Sequence, residues 1–215
     1  MSKLVVIIGT GGHAKVVHDI LIQEGKFKPA AFFSLDKNLK SFLELPHYHQ
    51  DEFGQHEFTH GVVAIGDNWL RAQAVRTLNA INSKFQFVTT VHPSAVVGNG
   101  VKLGVGTVVM ANAVVNPFSV IGDHIIINTS ASVDHDCQLE NYCSIAPGAV
   151  LGGNVKVGQY SAVSLGAKII HGRSIGEQTV IGAGALVVGD VGSGVVAYGT
   201  PCEAKRNRKA GEKYL

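Results

Sequence analysis

The sequence predicts an α/β domain over residues 1–90, an all-β solenoid of parallel strands over 91–192, and a C-terminal loop and tail over 193–215. Two patterns carry this prediction: strand and helix signals alternate in the first ninety residues, and a six-residue repeat runs unbroken after them. Glycine content agrees with a chain that turns often. It makes up 26 of 215 residues, about 12 % against an ordinary usage of roughly 7 %.

The repeat is defined by its aliphatic positions. Every sixth residue from Val91 to Val187, seventeen in all, is valine, isoleucine or leucine. Helices repeat at 3.6 residues and strands at 2, so neither explains this period alone. Four residues after each aliphatic stands a small or β-branched residue, with Arg173 the exception. We expect three short faces per eighteen-residue coil and five to six coils, stacked roughly 4.8 Å apart.

The residue after each aliphatic suggests where the corners lie. Seven of these seventeen residues are glycine, and Asn116, Asn128 and Asp134 also tolerate positive φ. The sequence therefore predicts left-handed backbone at this phase. Cys137 and Cys143 occupy the small inward phase, where a free cysteine behaves as a small hydrophobe. With Cys202 they form no CxxC pair and no even disulfide framework.

The N-terminal residues show a Rossmann-like βαβαβ pattern. "KLVVIIGTGGHAKVVHDILIQEG" predicts a strand, a glycine turn and a helix that ends at Gly25. "PAAFFSLD" predicts a second strand, "GVVAIGDN" a third, "WLRAQAVRTLNAI" a second helix and "FQFVTTV" a fourth strand. Such alternation implies a parallel sheet with ligands at its carboxyl edge. The apolar face predicted for the first helix contains Val16, Val17, Ile20 and Leu21.

The glycine turn matches a dinucleotide-binding motif. Residues 9–14, "GTGGHA", fit G-x-G-x-x-[GA], and Asp36 follows at a suitable distance. However, only half of a double Rossmann domain is present, and nothing after it resembles a hydride-transfer domain. Backbone N–H groups at a helix N-terminus bind any diphosphate. We favour a nucleotide-sugar diphosphate over NAD(P); a turn that binds nothing is the third interpretation.

Charge and hydropathy exclude some classes of partner. The formal net charge is +2, so nothing indicates binding to nucleic acid or an anionic membrane. The apolar run at the N-terminus is too short to span a bilayer and leads into the glycine turn instead of a cleavage site. We expect a soluble, cytoplasmic protein.

Five motifs occur in a characteristic order: "GTGGHAKVVHDIL", "AIGDN", "NTSASVDHDC", "GAGALVV" and "YGTPCEAKR". Together they resemble the sialic-acid O-acetyltransferase-like branch of the hexapeptide-repeat acyltransferases. Within it, the chain is most similar to the bacterial N-acetyltransferases that act on UDP-linked, occasionally GDP-linked, 4-amino sugars for bacillosamine or O-antigen synthesis. The resemblance implies a left-handed parallel β-helix, acetyl-CoA as co-substrate, and a homotrimer with active sites between subunits.

The resemblance also implies a catalytic site. The family motif E-H-[DE]-C falls on residues 134–137, which makes His135 the general base and Asp136 its acidic partner, with Asp134 in place of glutamate. Some members carry a second histidine nine residues later, near the acetyl group, where this chain has Ser144. A hydroxyl still donates a hydrogen bond but does not titrate near neutral pH.

Further residues are assigned by the same resemblance. The backbone N–H of Gly153 would bind the thioester carbonyl, as oxyanion donors do. Residues implied in substrate binding are Gly11, Gly12, His13 and Lys15 at the diphosphate and sugar, Asp36 at the base or ribose, Gly66 and Asn68 of "AIGDN", and Asn128 beside the sugar. Residues implied in coenzyme A binding are Ser144, Gly153, Leu165 and Ala183, with Pro201, Lys205 and Arg206 near its tail end.

The expected chemistry is attack of an amine on the acetyl thioester, with imidazole accepting the proton. Imidazole suits this step because its unperturbed pKa is about 6.5. No serine or cysteine nucleophile is required. We expect no metal: His135 and His171 share a phase but stand two coils, roughly 10 Å, apart. The paired histidines of the zinc-binding β-helix carbonic anhydrases are missing.

Three functions remain open. The first is acetyl-CoA-dependent N-acetylation of the 4-amino group of a nucleotide-linked 4-amino-4,6-dideoxy sugar. Replacing His135 with alanine would distinguish this enzyme from a scaffold, because only the enzyme would lose activity. The second is O-acetylation of a sialic acid or related sugar on the same scaffold. The third is a trimeric scaffold that binds sugar nucleotides without turnover.

Overall fold

The computed structural model describes residues 3–214 and begins with a six-stranded sheet. The strand order is β3-β4-β2-β1-β5-β6, and every neighbouring pair is parallel except β3 and β4. This confirms the Rossmann-like N-terminal unit. Its elements are β1 (Lys3–Ile8), α1 (Gly12–Glu24), β2 (Phe27–Ser34), β3 (Ser41–Phe42), β4 (Leu45–His49), a 3-10 helix (Gln50–Gln55), β5 (His60–Val63), α2 (Asn68–Ile81) and β6 (Gln86–Phe87).

The hairpin of β3 and β4 and the 3-10 helix were not predicted, because such short elements leave no hydrophobic period to detect. The expected fourth strand, "FQFVTTV", is divided. Its first part is β6 in this sheet, and its second part, Thr90–Val91, is the first strand of the solenoid. The chain therefore passes from one domain to the other within a few residues.

Helix α1 buries Ala14, Val17, Ile20 and Leu21 against the sheet. Val16 is 40 % exposed, so its assignment to the buried face was wrong. Ala14, three residues before Val17, continues the buried stripe instead. Gly25 ends the helix as predicted: its φ is 70°, and its N–H donates to the carbonyl of Leu21 at 3.1 Å.

The second domain is a three-sided parallel β-helix of two-residue strands. Each strand pairs with the strand eighteen residues away, as Val108 does with Ile126. The eighteen-residue coil and the number of coils are confirmed. The strands are β7 (Thr90–Val91), β8 (Val96–Val97), β9 (Lys102–Leu103), β10 (Val108–Val109), β11 (Val114–Val115), β12 (Val120–Ile121), β13 (Ile126–Ile127), β14 (Ser132–Val133), β15 (Gln138–Leu139), β16 (Ser144–Ile145), β17 (Val150–Leu151), β18 (Lys156–Val157), β19 (Ala162–Val163), β20 (Lys168–Ile169), β21 (Ser174–Ile175), β22 (Val180–Ile181) and β23 (Leu186–Val187).

Three parallel sheets form the sides of this β-helix. One contains β7, β10, β13, β16, β19 and β22 and is extended by a hairpin of β24 (Val195–Tyr198) and β25 (Glu203–Asn207). The second runs from β8 to β23, and the third from β9 to β21. We name the three edges by one residue each: the Asn128 corner (128–131, 146–149, 164–167 and 182–185), the His135 corner (134–137, 152–155 and 170–173) and the Tyr142 corner (122–125, 140–143, 158–161 and 176–179).

The aliphatic phase fills the interior. Most of its members are fully buried, but Val97 in the first coil is 38 % exposed because no coil stacks beneath it. Cys137 and Cys143 are buried and unpaired with each other, as predicted. Burial raises the pKa of the Cys143 thiol to about 12. This thiol is therefore a packing group and not a nucleophile.

The prediction for the corner backbone was wrong. Left-handed φ occurs three residues after each aliphatic from Val97 to Ile181, as at Asp136 (φ 58°) and Tyr142 (φ 62°), and not one residue after it. Glycine follows the aliphatic for another reason, which is the close stacking of coils. A Cβ on Gly152 would lie 2.8 Å from the backbone nitrogen of His171 in the next coil. The repeat thus has one position where glycine is needed because a Cβ has no space, and another where the residue must adopt a left-handed backbone conformation.

Arg71 of α2 joins the two domains. It is 1 % exposed, and its guanidinium donates to the carbonyls of Ile65 and Gly66 at 2.9 Å in its own domain. In the β-helix it donates to the carbonyls of His124, Tyr142 and Cys143 at 2.8–3.2 Å. Burial lowers the pKa of Arg71 to about 10, so the charge persists at neutral pH. Carbonyl dipoles rather than a carboxylate compensate it.

Within the described residues, no helix is long and apolar enough to cross a membrane.

Candidate active site

His135 lies exposed on its corner, immediately after β14. Its Nδ1 is 2.7 Å from Oδ2 of Asp136, and half of its side chain is exposed. This hydrogen bond to Asp136 raises the pKa of His135. Because Nδ1 faces the carboxylate, Nε2 is the nitrogen that remains for a substrate. The pair has the arrangement of an oriented general base.

Asp134 stabilises the same corner without contacting the imidazole ring through a hydrogen bond. Its Oδ1 accepts from the backbone N–H of His135 and from the Asn116 amide, both at 2.8 Å. These two bonds lower the pKa of Asp134. The position where the family motif has glutamate therefore acts here through the backbone of His135.

Gly153 lies under the ring of His135, one coil further along. A Cβ at this position would lie 2.6 Å from Cε1 and Nε2 of His135. No residue among 3–214 accepts a hydrogen bond from the Gly153 N–H in the structure. An N–H without a partner among the described residues thus belongs to the glycine against which the His135 ring packs, as the predicted oxyanion donor requires.

We expect Gly153→Ala to lower kcat/KM by about 10²-fold, because a small displacement of a catalytic group has effects of this size. The added methyl would push the His135 ring out of its position. Steady-state kinetics measure the loss. Gly189→Ala is the matched control, because nothing lies within 4 Å of a Cβ there. Equal rates for both variants would contradict the role of this contact.

His171 approaches His135 more closely than the coil spacing suggested. Their ring centroids are 6.2 Å apart, because Gly153 between them has no side chain. Both histidines line one groove with Phe118 and Asn154. Over residues 3–214, no group of three or more histidine, cysteine, aspartate or glutamate side chains is arranged to hold a metal ion.

A pocket of about 220 Å³ lies along the Asn128 corner, where the N-terminal domain meets the β-helix. This volume is below the roughly 300–1,000 Å³ of sites that hold drug-sized ligands, so it fits the reacting end of a ligand and not a whole nucleotide sugar. The pocket unites residues predicted for the sugar and for coenzyme A. These are His13, Gly66 and Asn128 for the sugar, and Ser144 and Leu165 for the coenzyme.

His13 presents an unpaired nitrogen at this pocket. Its Nε2 is buried and has no hydrogen-bond partner within residues 3–214. Burial and the nearby Arg71 lower the pKa of His13 to about 4, so its ring is neutral.

The glycine turn before His13 is open toward solvent: a Cβ on Gly11 or Gly12 would meet nothing within 4 Å. Only Gly9, with φ 120° and a Cβ position 2.7 Å from the Ala64 carbonyl oxygen, is a glycine by structural need.

Asn68 is not available to a substrate. It is 1 % exposed, its amide donates to the carbonyls of Tyr160 and Ser161, and its Oδ1 accepts from Arg71 and Ser144. Asn68 is therefore corrected from a substrate ligand to a residue that joins the domains. Ser144 does line the pocket, but its hydroxyl is already bonded to Asn68 and Arg71.

The other predicted residues lie around these two features. Leu165 and Ala183 are both exposed and stand one coil apart on the Asn128 corner. Pro201 lies in the loop between β24 and β25, and Lys205 and Arg206 lie on β25. All three are exposed at the end of the sheet that runs from β7 to β22. Lys15 is exposed on α1, and Asp36 is exposed after β2, where its carboxylate accepts from the Asn38 N–H at 2.8 Å.

The sequence missed Arg71 and Tyr214, which lines the pocket beside Ser144, and it placed His171 too far from His135. Tyr214 lies beyond the repeat and carries no motif, so no sequence signal predicted it. The pocket and the His135 groove have no lining residue in common and lie on different corners. Within one chain, His135 and the pocket are thus separate.

Comparisons with known proteins found similar sequences and similar structures. Residues 4–78 match the family model "PglD N-terminal domain". A UDP-N-acetylbacillosamine N-acetyltransferase of Bacillus subtilis (strain 168) is 33 % identical over 125 residues, which are 51 % of this chain and 52 % of that protein. The match thus spans about half the length of that curated relative.

Two solved structures resemble the whole chain. PerB from Caulobacter crescentus, in complex with CoA and GDP-perosamine, is 41 % identical, with a TM-score of 0.88 over 94 % of this chain and 97 % of PerB. The acetyltransferase domain of PglB from Neisseria gonorrhoeae, in complex with acetyl coenzyme A, is 32 % identical, with a TM-score of 0.87 over 95 % and 100 %. The expected left-handed parallel β-helix is confirmed. The chain belongs to the hexapeptide-repeat sugar N-acetyltransferases, the family of PerB and PglB.

Proposed function

We propose that this protein transfers the acetyl group of acetyl-CoA to the 4-amino group of a nucleotide-linked 4-amino-4,6-dideoxy sugar, in the cytoplasm. The observation that carries the proposal is the 2.7 Å contact between His135 Nδ1 and Asp136 Oδ2, which leaves Nε2 for a substrate, with the ring packed against Gly153. It is supported by PerB, solved with CoA and GDP-perosamine at 41 % identity.

The chemistry follows from these groups. The neutral amine attacks the thioester carbonyl. The carbonyl oxygen becomes negative and accepts a hydrogen bond from the N–H of Gly153. His135 Nε2 takes the proton that the amine loses as the C–N bond forms. When the C–S bond breaks, this proton is returned to the thiolate, which leaves as coenzyme A. The buried thiols of Cys137 and Cys143 take no part.

A homotrimer completes the site in this proposal. One chain holds His135 on one corner and the pocket of His13, Asn128 and Leu165 on another. A three-fold arrangement would place the His135 corner of one subunit against the pocket of the next. The acceptor would then lie in the pocket of one subunit, with its amine facing His135 of its neighbour.

Subunit complementation tests this arrangement. His135→Asn lacks the base, and Leu165→Trp fills the pocket from an exposed position; each alone is expected to be inactive. If the two groups come from different subunits, each mixed trimer of the co-expressed variants has one intact site out of three. Homotrimers have none, so random assembly of equal amounts should give about a quarter of the wild-type activity. Absence of recovered activity in trimers shown to be mixed would refute the shared site.

The reaction itself is tested by following the free thiol of coenzyme A. Acetyl-CoA is offered with UDP- and GDP-linked 4-amino sugars, unmodified UDP-N-acetylglucosamine and free sialic acid. Thiol release confined to a 4-amino nucleotide sugar is the expected result and identifies the nucleotide. Release with sialic acid alone would replace the proposal by O-acetylation.

Replacing Asp136 tests the orientation of the base. The imidazole must be deprotonated to act, so kcat/KM is expected to rise with pH through the raised pKa of His135. In Asp136→Asn the hydrogen bond that raises this pKa is lost, so the midpoint moves to lower pH. The plateau should fall too, because the ring loses its fixed orientation. A pH profile of kcat/KM measures both effects, and an unmoved midpoint would contradict the pairing.

A further inference from the structure

Tyr214 occupies the pocket at a point that the sequence did not predict. Its ring lies beside Ser144 and Leu165, and its hydroxyl oxygen accepts from the backbone N–H of Asn68 at 3.3 Å. This hydroxyl donates no hydrogen bond within residues 3–214, although the Ser144 hydroxyl lies close enough to it to offset part of the rise that burial causes in the pKa of Tyr214. A tyrosine hydroxyl both donates and accepts. One donor of Tyr214 is therefore free at the pocket.

The segment 208–214 is held firmly in this position. The buried Arg208 donates to the carbonyls of Gln178 at 3.0 Å and of Glu212, and its guanidinium lies 5.3 Å from the centroid of the Tyr214 ring. Gly211 packs on the indole of Trp69, where a Cβ would lie 2.8 Å from Nε1. The segment thus ties the last coils of the β-helix to α2 and positions the phenol.

Ser144 does not supply this donor. Its hydroxyl donates to Oδ1 of Asn68 and accepts from Arg71, so its proton is already bonded within the protein. The position where some relatives have a second histidine near the acetyl group therefore lacks a free hydrogen-bond donor of its own. The phenol of Tyr214 is a neighbouring polar group that has one.

We propose that the Tyr214 hydroxyl donates a hydrogen bond to the carbonyl oxygen of the acetyl thioester bound in this pocket. The inference rests on the proposed acetyl transfer. A carbonyl oxygen has two lone pairs, so Tyr214 and the Gly153 N–H of a neighbouring subunit would bind it together. Tyr214 keeps its proton throughout and stabilises the negative charge on oxygen while the tetrahedral intermediate exists. Burial raises the pKa of this phenol, which keeps it protonated.

Tyr214→Phe removes the hydroxyl and keeps the ring. We expect kcat/KM for acetyl-CoA to fall by about 10–100-fold, toward the lower part of the range seen when an oxyanion donor is lost. The KM for the sugar should stay unchanged. Tyr48→Phe is the matched control: Tyr48 packs its ring on Phe33 and His56, forms no hydrogen bond through its hydroxyl in the described chain, and lines neither site.

Binding gives a readout that does not depend on turnover. The carbonyl is present in acetyl-CoA and absent from free coenzyme A, so Tyr214→Phe should reduce the preference for acetyl-CoA in calorimetry and leave the Kd of coenzyme A unchanged. Both readouts equal to Tyr48→Phe would overturn the proposal. A fall in Tm with both KM values raised would instead make Tyr214 a structural residue. If the wild-type protein acetylates no acceptor, the proposed function fails, while the two Kd values still decide whether Tyr214 contacts the thioester.

Discussion

Replacing His135 with asparagine is expected to lower kcat/KM for acetyl transfer by about 10²–10⁴-fold, the range for a positioned general base. Asparagine can still form hydrogen bonds but takes up no proton in this pH range. The side chain is half exposed and packs into no core, so the variant should retain the fold and the melting temperature of the wild type. Thiol release, measured under saturating acetyl-CoA, gives the rate.

His60→Asn is the control for this substitution. His60 begins β5, at the opposite edge of the sheet from the glycine turn, with its Nε2 3.4 Å from Nζ of Lys3. The same chemical change there should leave the rate within twofold or so of the wild type. If His135→Asn also kept its rate, the base would have to be another group, and His171, across Gly153, would be examined next.

Replacing Arg71 with methionine is expected to give the largest loss of stability. Methionine fills much of the same volume but leaves the carbonyls of Ile65, Gly66, His124 and Tyr142 without their donor. An unpaired buried acceptor costs about 1–3 kcal/mol. Even if water reached most of these carbonyls, the free energy of unfolding should fall by at least about 3 kcal/mol. This corresponds to a Tm lower by about 6–12 °C for a chain of this size.

Arg76→Met on the same helix provides the comparison. Arg76 is exposed, with its guanidinium 5.5 Å from the centroid of the Trp69 ring, so its loss should cost well under 1 kcal/mol. Denaturant unfolding of both variants measures the difference. Similar midpoints for the two would mean that the carbonyls around Arg71 are compensated by water.

The sequence predicted the β-helix almost completely and the contacts between its elements hardly at all. A period of six from Val91 to Val187 determines which side chains point inward, because equivalent positions have the same environment in every coil. It also assigned Cys137 and Cys143 to the interior. The period could not distinguish glycine needed for space, as at Gly152, from a turn residue such as Asp136.

The site was predicted unevenly for the same reason. His135 and Asp136 are adjacent in the chain, so a short motif describes them. Ser144 and Asn68 are 76 residues apart, and their mutual hydrogen bond depends on how the two domains pack. Tyr214 reaches the pocket only through the folded segment that follows β25. Such long-range contacts leave no trace in the spacing of one sequence.

The uniform coil has a consequence for the length of the ligand. Leu165 and Ala183 occupy equivalent positions on the Asn128 corner in successive coils. The hairpin that carries Lys205 follows at the end of the neighbouring sheet, which runs from β7 to β22. Successive coils rise by roughly 4.8 Å, so the β-helix works as a molecular ruler. A relative that binds a longer thioester carrier would be expected to add whole units of eighteen residues, since any other insertion would rotate its contact residues onto a different side.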